Sequence, residues 1–372
     1  MSNQTYDFNT VTCSFIGLGL IGGSIAKALR RSYPDIRLIA YDPDQLSLKL
    51  ALDENVLTQS ETSLSPALFD CDFLFLCAPV SSNDALLTDI KNKLNARTIL
   101  TDVGSVKQTT HRAIEKAGLS HVFIGGHPMA GSEKTGYANA NPLLLENAYY
   151  ILTPTADVAA DKVTQFQELI RATGALPLVL DYEKHDYVTA AVSHVPHIIS
   201  ACLVNLVKKS DDTDGLMKMI AAGGFKDITR ISSSSPVMWQ SVCLTNTENI
   251  RKLLSDYIHD LQVVEKELAD KSAQELYDLF DCAKEYRDGF AAGGHGPIKK
   301  AYDIYVDIPD IPGSLAQTAT ILALHGLSIK NIGIMHSREF QEGALRIEFY
   351  DEATEKTAID VLKKSHYTIY EK

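Results

Sequence analysis

The chain has 372 residues, of which 35 are Lys or Arg and 47 are Asp or Glu, so its formal net charge is −12 at pH 7. This length allows two or three domains. An acidic chain without a basic block is poorly suited to nucleic acid or to an anionic membrane, so we expect neither partner.

No apolar run approaches the length needed to span a bilayer, and residues 1–10 lack a signal-peptide pattern. The six cysteines are scattered without a C-x-x-C motif, which is typical of reduced thiols, and we expect a cytoplasmic protein.

The first motif is a glycine-rich turn between a predicted strand, Val11–Ile16, and a helix-forming segment, Ser24–Arg31. Its glycines match the G-x-G-x-x-G fingerprint of dinucleotide-binding proteins. In that fingerprint the first glycine allows a tight turn, the second lets a pyrophosphate approach the backbone, and the third lets the helix pack on the strand. The helix N-terminus favours the negative charge of the pyrophosphate. The predicted cofactor-binding residues of this turn are Gly17, Gly19, Leu20, Ile21 and Gly22.

The identity of the cofactor is indicated by Asp42, which ends the next apolar strand about 20 residues after the last glycine. A carboxylate at this spacing accepts the ribose hydroxyls of NAD and repels the 2′-phosphate of NADP. Pro43 follows it, where an NADP site would favour Arg. We therefore predict NAD; the alternative is a glycine-rich turn with an unrelated acid.

Strand and helix patterns alternate through residues 1–181. After the two strands already described, further strand patterns lie at Asp72–Cys77, Thr98–Asp102, His121–Gly126, Ala148–Leu152 and Ala175–Leu180. This alternation predicts an α/β fold with a Rossmann-type doubly wound parallel sheet. Ligands bind beyond the carboxyl ends of the strands in such sheets, so we expect functional residues in the turns that follow them.

The rest of the chain is predicted to form two more domains. Residues 182–290 show helical periodicity without strand signals, which indicates an all-helical domain. Residues 291–299 are glycine-rich and are interpreted as a linker. Residues 300–372 follow the order β-α-β-β-α-β, which is typical of a ferredoxin-like fold. This last domain shows no acid–base cluster, so we interpret it as a small-molecule sensor.

Two turns of the predicted sheet carry candidate catalytic residues. Ser105 follows the strand Thr98–Asp102 and could either cap the next helix or face the cofactor. His127 follows the strand His121–Gly126 in a glycine-rich turn, where a general acid or base is favoured over a core histidine. Glu133, further along this turn, could orient the loop or be solvated.

The helical domain carries a second group of candidates. His194 and His197 have the nearby His185 as a third possible ligand, but the segment lacks an H-E-x-x-H pattern, so we expect no metal and a ligand-facing role for His197. Arg230, after two glycines, could clamp a substrate carboxylate. Trp239 is the only tryptophan. Taken alone, Arg230 and Trp239 are more typical of a surface ion pair and a core residue.

Taken together, four motifs resemble those of the prephenate dehydrogenase family over nearly the whole chain: Asp102–Lys107, His127–Glu133, Ser193–His197 and Phe225–Arg230. The tail resembles an ACT domain, a regulatory module that binds amino acids. The part of it that matches the ligand loop of that family includes Asp310, Pro312 and Gly313.

The resemblance implies NAD-dependent oxidative decarboxylation of prephenate to 4-hydroxyphenylpyruvate in tyrosine biosynthesis, with release of carbon dioxide and NADH. His127 would take the proton of the ring 4-hydroxyl as a hydride leaves C4, and Ser105 would hold the hydroxyl and His127 in register. The implied substrate-binding residues are Arg230, His197, Trp239 and Glu133. The resemblance also implies that the helical domain forms a homodimer and that L-tyrosine regulates the enzyme through the tail.

Three alternatives remain open from the sequence. An arogenate dehydrogenase would use the same chemistry on a substrate whose side chain bears an amine; His197 favours prephenate. A non-catalytic sensor of NAD and an amino acid would retain the fold without the reaction. The tail could respond to tyrosine, to another amino acid or to nothing.

Overall fold

The computed structural model describes residues 6–78, 86–132, 134–292, 302–309, 311–335 and 344–370. The chain divides into two compact units, residues 1–271 and 272–372. The first unit contains both the sheet and most of the predicted helical domain, so the predicted limits at residues 181 and 290 do not coincide with this division. Those finer limits remain predictions.

The core of the first unit is a parallel sheet of five strands in the order β3-β2-β1-β4-β5. The strands are Thr12–Ile16 (β1), Arg37–Tyr41 (β2), Gln59–Glu61 (β3), Phe73–Leu76 (β4) and Ile99–Asp102 (β5). β1 pairs with β2 on one side and with β4 on the other. Strands β4 and β5 are buried along their whole length, as the unbroken apolar run Phe73–Leu76 requires.

Helices cover both faces of this sheet. They lie at Leu20–Ser32 (α1), Gln45–Asp53 (α2), Pro66–Phe69 (α3), Gln108–Ala117 (α4) and Ala160–Ala172 (α5). Alternate residues of β4 point to opposite faces: Phe75 packs in one apolar cluster with Phe166 of α5, and Leu74 in another with Ile114 of α4. The two clusters confirm the doubly wound arrangement.

A second group of strands continues the sheet beyond β5 but is not wholly parallel. The strands are Ile124–Pro128 (β6), Tyr149–Pro154 (β7) and Leu176–Val179 (β8). Phe123, just before β6, forms a parallel bridge with Leu100 of β5, so the two strands end at the same edge. β7, however, runs antiparallel to β6 and parallel to β8.

The antiparallel β7 corrects the prediction of an entirely parallel sheet. A parallel successor to β6 would need a crossover that returns to the opposite edge, usually through a helix. The chain between β6 and β7 instead lies irregularly against α1. Its Tyr137 is fully buried beside Gly23, where a Cβ would lie 2.7 Å from the Tyr137 ring, and its hydroxyl donates to Glu54 at 2.7 Å.

The remaining helices of the first unit follow β8. They lie at Tyr182–Thr189 (α6), Val195–Ser210 (α7), Leu216–Ile220 (α8), Gly223–Thr229 (α9), Pro236–Thr245 (α10) and Thr247–Asp270 (α11). A π-helical turn, Ala190–His194, joins α6 to α7, and the Val195 N–H donates to the carbonyl of Ala190. Pro196, which follows, has no N–H for a regular helical hydrogen bond. Such widened turns often occur at functional sites.

Helices α6 and α7 form one continuous helix of 29 residues, Tyr182–Ser210, that is long and apolar enough to cross a membrane by length and composition. The expectation that no segment approaches that length is therefore wrong. It arose because polar residues interrupt the apolar run in the sequence. One such helix is weak support for a membrane span, since core helices of proteins in water meet the same criterion. Its side chains His185, Asp186 and His194 are buried and hydrogen-bonded within the first unit.

The second unit begins with Ala273–Ala292 (α12), which extends two residues into the predicted linker; residues 293–301 lie outside the described chain. Four strands then form an antiparallel sheet in the order β10-β11-β9-β12. In chain order the elements are Tyr302–Asp307 (β9), Ser314–Leu324 (α13), Asn331–Met335 (β10), Ala344–Phe349 (β11), Glu352–Lys364 (α14) and Ile369–Tyr370 (β12). This confirms the predicted order β-α-β-β-α-β.

Candidate functional site

The glycine-rich turn after β1 has the shape that a dinucleotide requires. Gly17 has φ +96°, and a Cβ there would lie 2.8 Å from the main chain of Cys77 and Ala78. A Cβ on Gly22 would lie 2.7 Å from the Gly17 carbonyl oxygen. A Cβ on Gly19 would meet no heavy atom within 4 Å among the residues described. Packing therefore demands glycine at the first and third positions, whereas a Cβ at the second meets no described atom, as expected of the glycine that a pyrophosphate approaches.

Asp42 is fixed beside this turn. One carboxylate oxygen accepts the Leu18 N–H at 2.6 Å, and the other accepts the Asp44 N–H at 2.8 Å. Helix α1 begins at Leu20, and Leu20 and Ile21 are half-buried in its first turn. The turn, the helix N-terminus and the acid together fit NAD: Asp42 would hold the ribose hydroxyls, and the main chain near Gly19 the pyrophosphate.

A buried ion pair fixes the backbone that leads to His127. Asp102, the last residue of β5, and Lys107 are both essentially inaccessible. The Lys107 ammonium lies 2.5 Å from the Asp102 carboxylate and 2.6 Å from the Gly126 carbonyl oxygen. Asp102 also accepts the Gly126 N–H at 3.1 Å. Burial lowers the pKa of Lys107 against the opposing effect of Asp102. Because both partners bind Gly126, they hold in place the residue before His127.

His127 lies in β6, at the edge where β5 also ends, and is 9 % exposed. Its Nδ1 is 2.8 Å from Nε2 of His185. Burial holds the pKa of His127 well below its ordinary value, and positive charge on His185, Lys107 or His194 would lower it further. The imidazole is therefore neutral at pH 7, the state in which it can accept a proton.

Asp186 was not predicted from the sequence, and His185 was considered only as a possible third metal ligand. Nδ1 of His185 lies 2.8 Å from the Asp186 carboxylate. That carboxylate also accepts the main-chain N–H groups of Lys107 and Gln108, both at 2.8 Å. The available signal was an adjacent His-Asp pair at the start of the first helix after the sheet.

Ser105 is half-buried in the turn after β5. Helix α4 begins at Gln108, and Asp186, from another element, binds its first N–H groups. The alternative interpretation, that Ser105 caps this helix, is therefore wrong. Its predicted role beside His127 remains a prediction.

The predicted substrate-binding residues of the helical part lie together. The imidazole of His197 stacks on the indole of Trp239, with ring centroids 3.7 Å apart and an interplanar angle of 26°. Nδ1 of His197 lies 2.9 Å from the Ser193 carbonyl oxygen. Burial lowers the pKa of His197, and the positive charge of nearby Arg230 lowers it further. A cation and an aromatic face thus adjoin one histidine.

His194 connects the two groups of residues. It is buried, and its ring meets the Trp239 indole edge-on at a centroid distance of 6.0 Å. The Asn246 amide nitrogen lies 3.2 Å from Nδ1 of His194 and donates to the Asp186 carbonyl at 2.8 Å. Burial lowers the pKa of His194 to about 4. Residues near His127 and residues near Trp239 therefore belong to one polar region.

Glu133 and Asp310 lie outside the described residues. Pro312 and Gly313 form an exposed turn before α13 in the second unit, where Gly313 has φ +97°. Within the described part of the chain, no group of three or more His, Cys, Asp or Glu side chains could hold a metal ion.

A parallel sheet with a dinucleotide loop, an acid at the end of β2 and a neutral histidine at the carboxyl edge defines an NAD-dependent oxidoreductase. Comparison with known families narrows the class. The chain matches the family model "Prephenate dehydrogenase, nucleotide-binding domain" over residues 25–178 and "Prephenate dehydrogenase, dimerization domain" over residues 181–282. The chain belongs to the prephenate dehydrogenase family.

Individual relatives agree with this assignment. The chain is 38% identical to a prephenate dehydrogenase of Bacillus subtilis over 349 residues, 93% of this chain and 94% of the relative. It is 32% identical to a Lactococcus lactis prephenate dehydrogenase, covering 94% of this chain and 97% of that one.

Solved structures agree as well. Prephenate dehydrogenase from Aquifex aeolicus, in complex with hydroxyphenyl propionate and NAD+, has a TM-score of 0.71 at 30% identity, covering 76% of this chain and 98% of that one. Arogenate dehydrogenase from Synechocystis has a TM-score of 0.68 at 28% identity, covering 75% and 99%.

Proposed function

We propose that this enzyme converts prephenate to 4-hydroxyphenylpyruvate and carbon dioxide. The observation that carries the proposal is a buried neutral imidazole, His127, at the edge of the sheet where the Gly17–Gly22 loop also lies.

NAD, when bound, supplies the hydride acceptor. His127 takes the proton of the ring 4-hydroxyl as the hydride leaves C4. The bond from C1 to its carboxylate then breaks, and its electron pair enters the ring. The proton on His127 returns to the oxygen, which gives the phenol and balances the reaction.

The carboxylates of prephenate call for a cation and an oriented surface. Arg230 supplies a permanent positive charge that can bind a carboxylate through two hydrogen bonds. His197, held against Trp239, lies close enough for Arg230 to affect its pKa. We assign these three residues to the carboxylate-bearing part of the substrate.

The test is NADH formation by purified protein supplied with NAD and prephenate. The wild type is expected to turn over, and His127→Asn is expected to lose at least about two orders of magnitude in kcat if His127 is the base. A well-folded wild type that binds NAD and makes no NADH from prephenate would remove the proposal.

Arogenate is the second candidate substrate, because the Synechocystis structure is an arogenate dehydrogenase. The Bacillus subtilis and Lactococcus lactis relatives are prephenate dehydrogenases, which favours prephenate. Values of kcat/KM measured for both substrates decide, because specificity is the ratio of these values. The third alternative, a non-catalytic sensor, disagrees with membership of this enzyme family.

We also propose a homodimer formed by the helical part. Many large apolar side chains there are more than half exposed in the single chain, among them Val192, Leu206, Met219, Ile220, Val237 and Leu244. Apolar surface on this scale is typical of an interface. Sedimentation velocity is expected to show a dimer, and the double variant Leu206→Glu and Leu244→Glu to shift it towards monomer. A monomeric wild type would contradict this.

For the tail we propose an ACT-like regulatory domain that binds L-tyrosine at the turn of residues 310–313. Its support is the sheet order β10-β11-β9-β12 and the positive φ of Gly313 at the start of α13. Gly313→Val is expected to abolish inhibition by tyrosine and leave uninhibited kcat unchanged. Gly326→Val is the control, because Gly326 also has a positive φ, +70°, but lies beyond the end of α13. Tyrosine inhibition that survives Gly313→Val would place the effector elsewhere.

A further inference from the structure

His185 and Asp186 have no part in the chemistry proposed above, yet both are 0–1 % exposed and linked to His127. Ionisable side chains are rarely buried this completely without a partner or a task. They lie in α6, whereas His127 lies in β6, so the link joins the helical part to the sheet. The donors and acceptors present determine which atom donates in each hydrogen bond from Asp186 through His185 to His127.

Asp186 is the fixed end of the chain of bonds. Each of its carboxylate oxygens accepts a main-chain N–H at 2.8 Å, one from Lys107 and one from Gln108. These N–H groups lie at the N-terminus of α4, and both donate to the carboxylate. An ionised carboxylate can only accept hydrogen bonds. The hydrogen between Asp186 and His185 therefore resides on Nδ1 of His185.

The next bond follows from the first. A neutral imidazole with its hydrogen on Nδ1 offers Nε2 as an acceptor. Nε2 of His185 lies 2.8 Å from Nδ1 of His127, so Nδ1 of His127 carries a hydrogen and donates it. Nε2 of His127 is then left with its lone pair. The opposite arrangement would put a hydrogen on Nε2 of His127 and remove its ability to accept a proton there.

We propose that His185 and Asp186 are positioning residues, which fix the tautomer and the ring orientation of His127 so that its Nε2 accepts the proton of the substrate. The proposal rests on the role of His127 as base. The same network ties the base to the contact between α6 and α4, so His127 is oriented only when the helical part is docked on the sheet.

The test replaces His185 by two residues whose side-chain amides differ in length, Gln and Asn. The side-chain oxygen of Gln can occupy the position of Nε2 and still accept from His127, whereas the shorter Asn can replace only Nδ1 and bind Asp186. Phe supplies an aromatic ring but can form a hydrogen bond with neither His127 nor Asp186. His185→Asn and His185→Phe are expected to lower kcat by about 10- to 100-fold with KM for prephenate within about threefold of wild type. His185→Gln is expected to stay within about fivefold of wild-type kcat.

A purely structural role predicts a different pattern. The loss of kcat in the three variants would then follow their loss of melting temperature, with no rescue by Gln, and this would overturn the proposal. The tautomer can also be read directly: ¹⁵N spectra of histidine-labelled wild-type enzyme are expected to show His127 protonated at Nδ1. A hydrogen on Nε2 would overturn the proposal even if every variant at position 185 failed to fold.

The failure of this proposal can be told apart from failure of the proposed function. If His127→Asn retains the wild-type rate, His127 is not the base and both fall. If His127→Asn is inactive while His185→Asn and His185→Phe retain the wild-type kcat, only the positioning role falls.

Discussion

The imidazole of His197 lies almost flat on the indole of Trp239, with ring centroids 3.7 Å apart. A main-chain carbonyl, that of Ser193, lies 2.9 Å from Nδ1 of His197, so in the neutral ring Nδ1 carries the hydrogen and Nε2 is left available to a ligand. A tryptophan and a carbonyl thus fix the orientation of one histidine beside Arg230.

Loss of this stack is expected to weaken substrate binding. Aromatic pairs are worth about 0.5–1.5 kcal/mol beyond their burial, so Trp239→Leu should raise KM for prephenate by about 2- to 12-fold while kcat changes little. Trp239→Phe retains an aromatic ring, so its KM for prephenate should lie between those of wild type and Trp239→Leu. Steady-state kinetics of both variants checks this, and a wild-type KM in Trp239→Leu would contradict it.

Loss of Arg230 is expected to weaken substrate binding more than loss of Trp239. Hydrogen bonds to charged groups are worth about 1.5–3 kcal/mol, so Arg230→Gln should raise KM for prephenate by about 10- to 150-fold. Arg230→Lys keeps the charge but not the planar pair of donors, and recovery should be partial. Equal KM values for Arg230→Gln and wild type would show that another group binds the carboxylate.

The glycine turn gives a prediction that separates cofactor binding from folding. Because a Cβ at Gly19 meets open space and one at Gly22 would lie 2.7 Å from the Gly17 carbonyl oxygen, the two substitutions should differ. Gly19→Val is expected to leave the melting temperature of the unliganded protein nearly unchanged and to weaken NAD binding at least about tenfold. Gly22→Val is expected to lower the melting temperature. Calorimetry with and without NAD measures both, and wild-type NAD affinity in Gly19→Val would contradict the assignment.

The pH dependence of turnover follows from the neutral state of His127. Burial lowers the pKa of His127, so the base is available above that lowered pKa and is lost only as pH falls through it. The acid limb of kcat/KM for prephenate is expected to lie well below pH 6.5, the ordinary region of histidine. A profile of kcat/KM between pH 4.5 and pH 8 checks this, and half-maximal activity near pH 6.5 would argue against His127 as the titrating group.

Stability should depend on pH for the same reason. Burial lowers the pKa of His111 and of His194 to about 4 each. The unfolded chain therefore binds more protons than the folded chain below pH 6.5, and the free energy of unfolding falls as pH decreases towards 4. Each histidine can contribute at most about 1.4 kcal/mol per pH unit. Urea unfolding at pH 7.5 and pH 5 measures the loss, and His111→Gln is expected to reduce it; equal stabilities would contradict the prediction.

The parts of the site that the sequence predicted are those in which short segments carry the signal. Gly17, Gly19 and Gly22 stand in one turn, and Asp42 follows at the spacing that a strand–helix–strand unit imposes. His127 was predicted from a glycine-rich turn after a buried strand, where a histidine has few packing roles; the structure instead places it within β6. Each of these inferences needs only local chain geometry.

The parts that were missed depend on contacts between distant segments. His185 lies 58 residues from His127 in the chain, and its partner Asp186 binds the main chain 78 and 79 residues earlier. The direction of β7 depends on how the chain around Tyr137 packs on α1, which no strand pattern encodes. For the same reason the sequence could not show that Asp186, rather than Ser105, caps α4.

The most direct measurement of the central claim is the initial rate of NADH formation from prephenate by wild type and by His127→Asn, with NAD saturating and NAD binding verified for both proteins. Rapid turnover by wild type and a loss of at least about two orders of magnitude in kcat for His127→Asn is the predicted result. Equal rates for the two proteins would contradict the role of His127, and no turnover by wild type would contradict prephenate as the substrate.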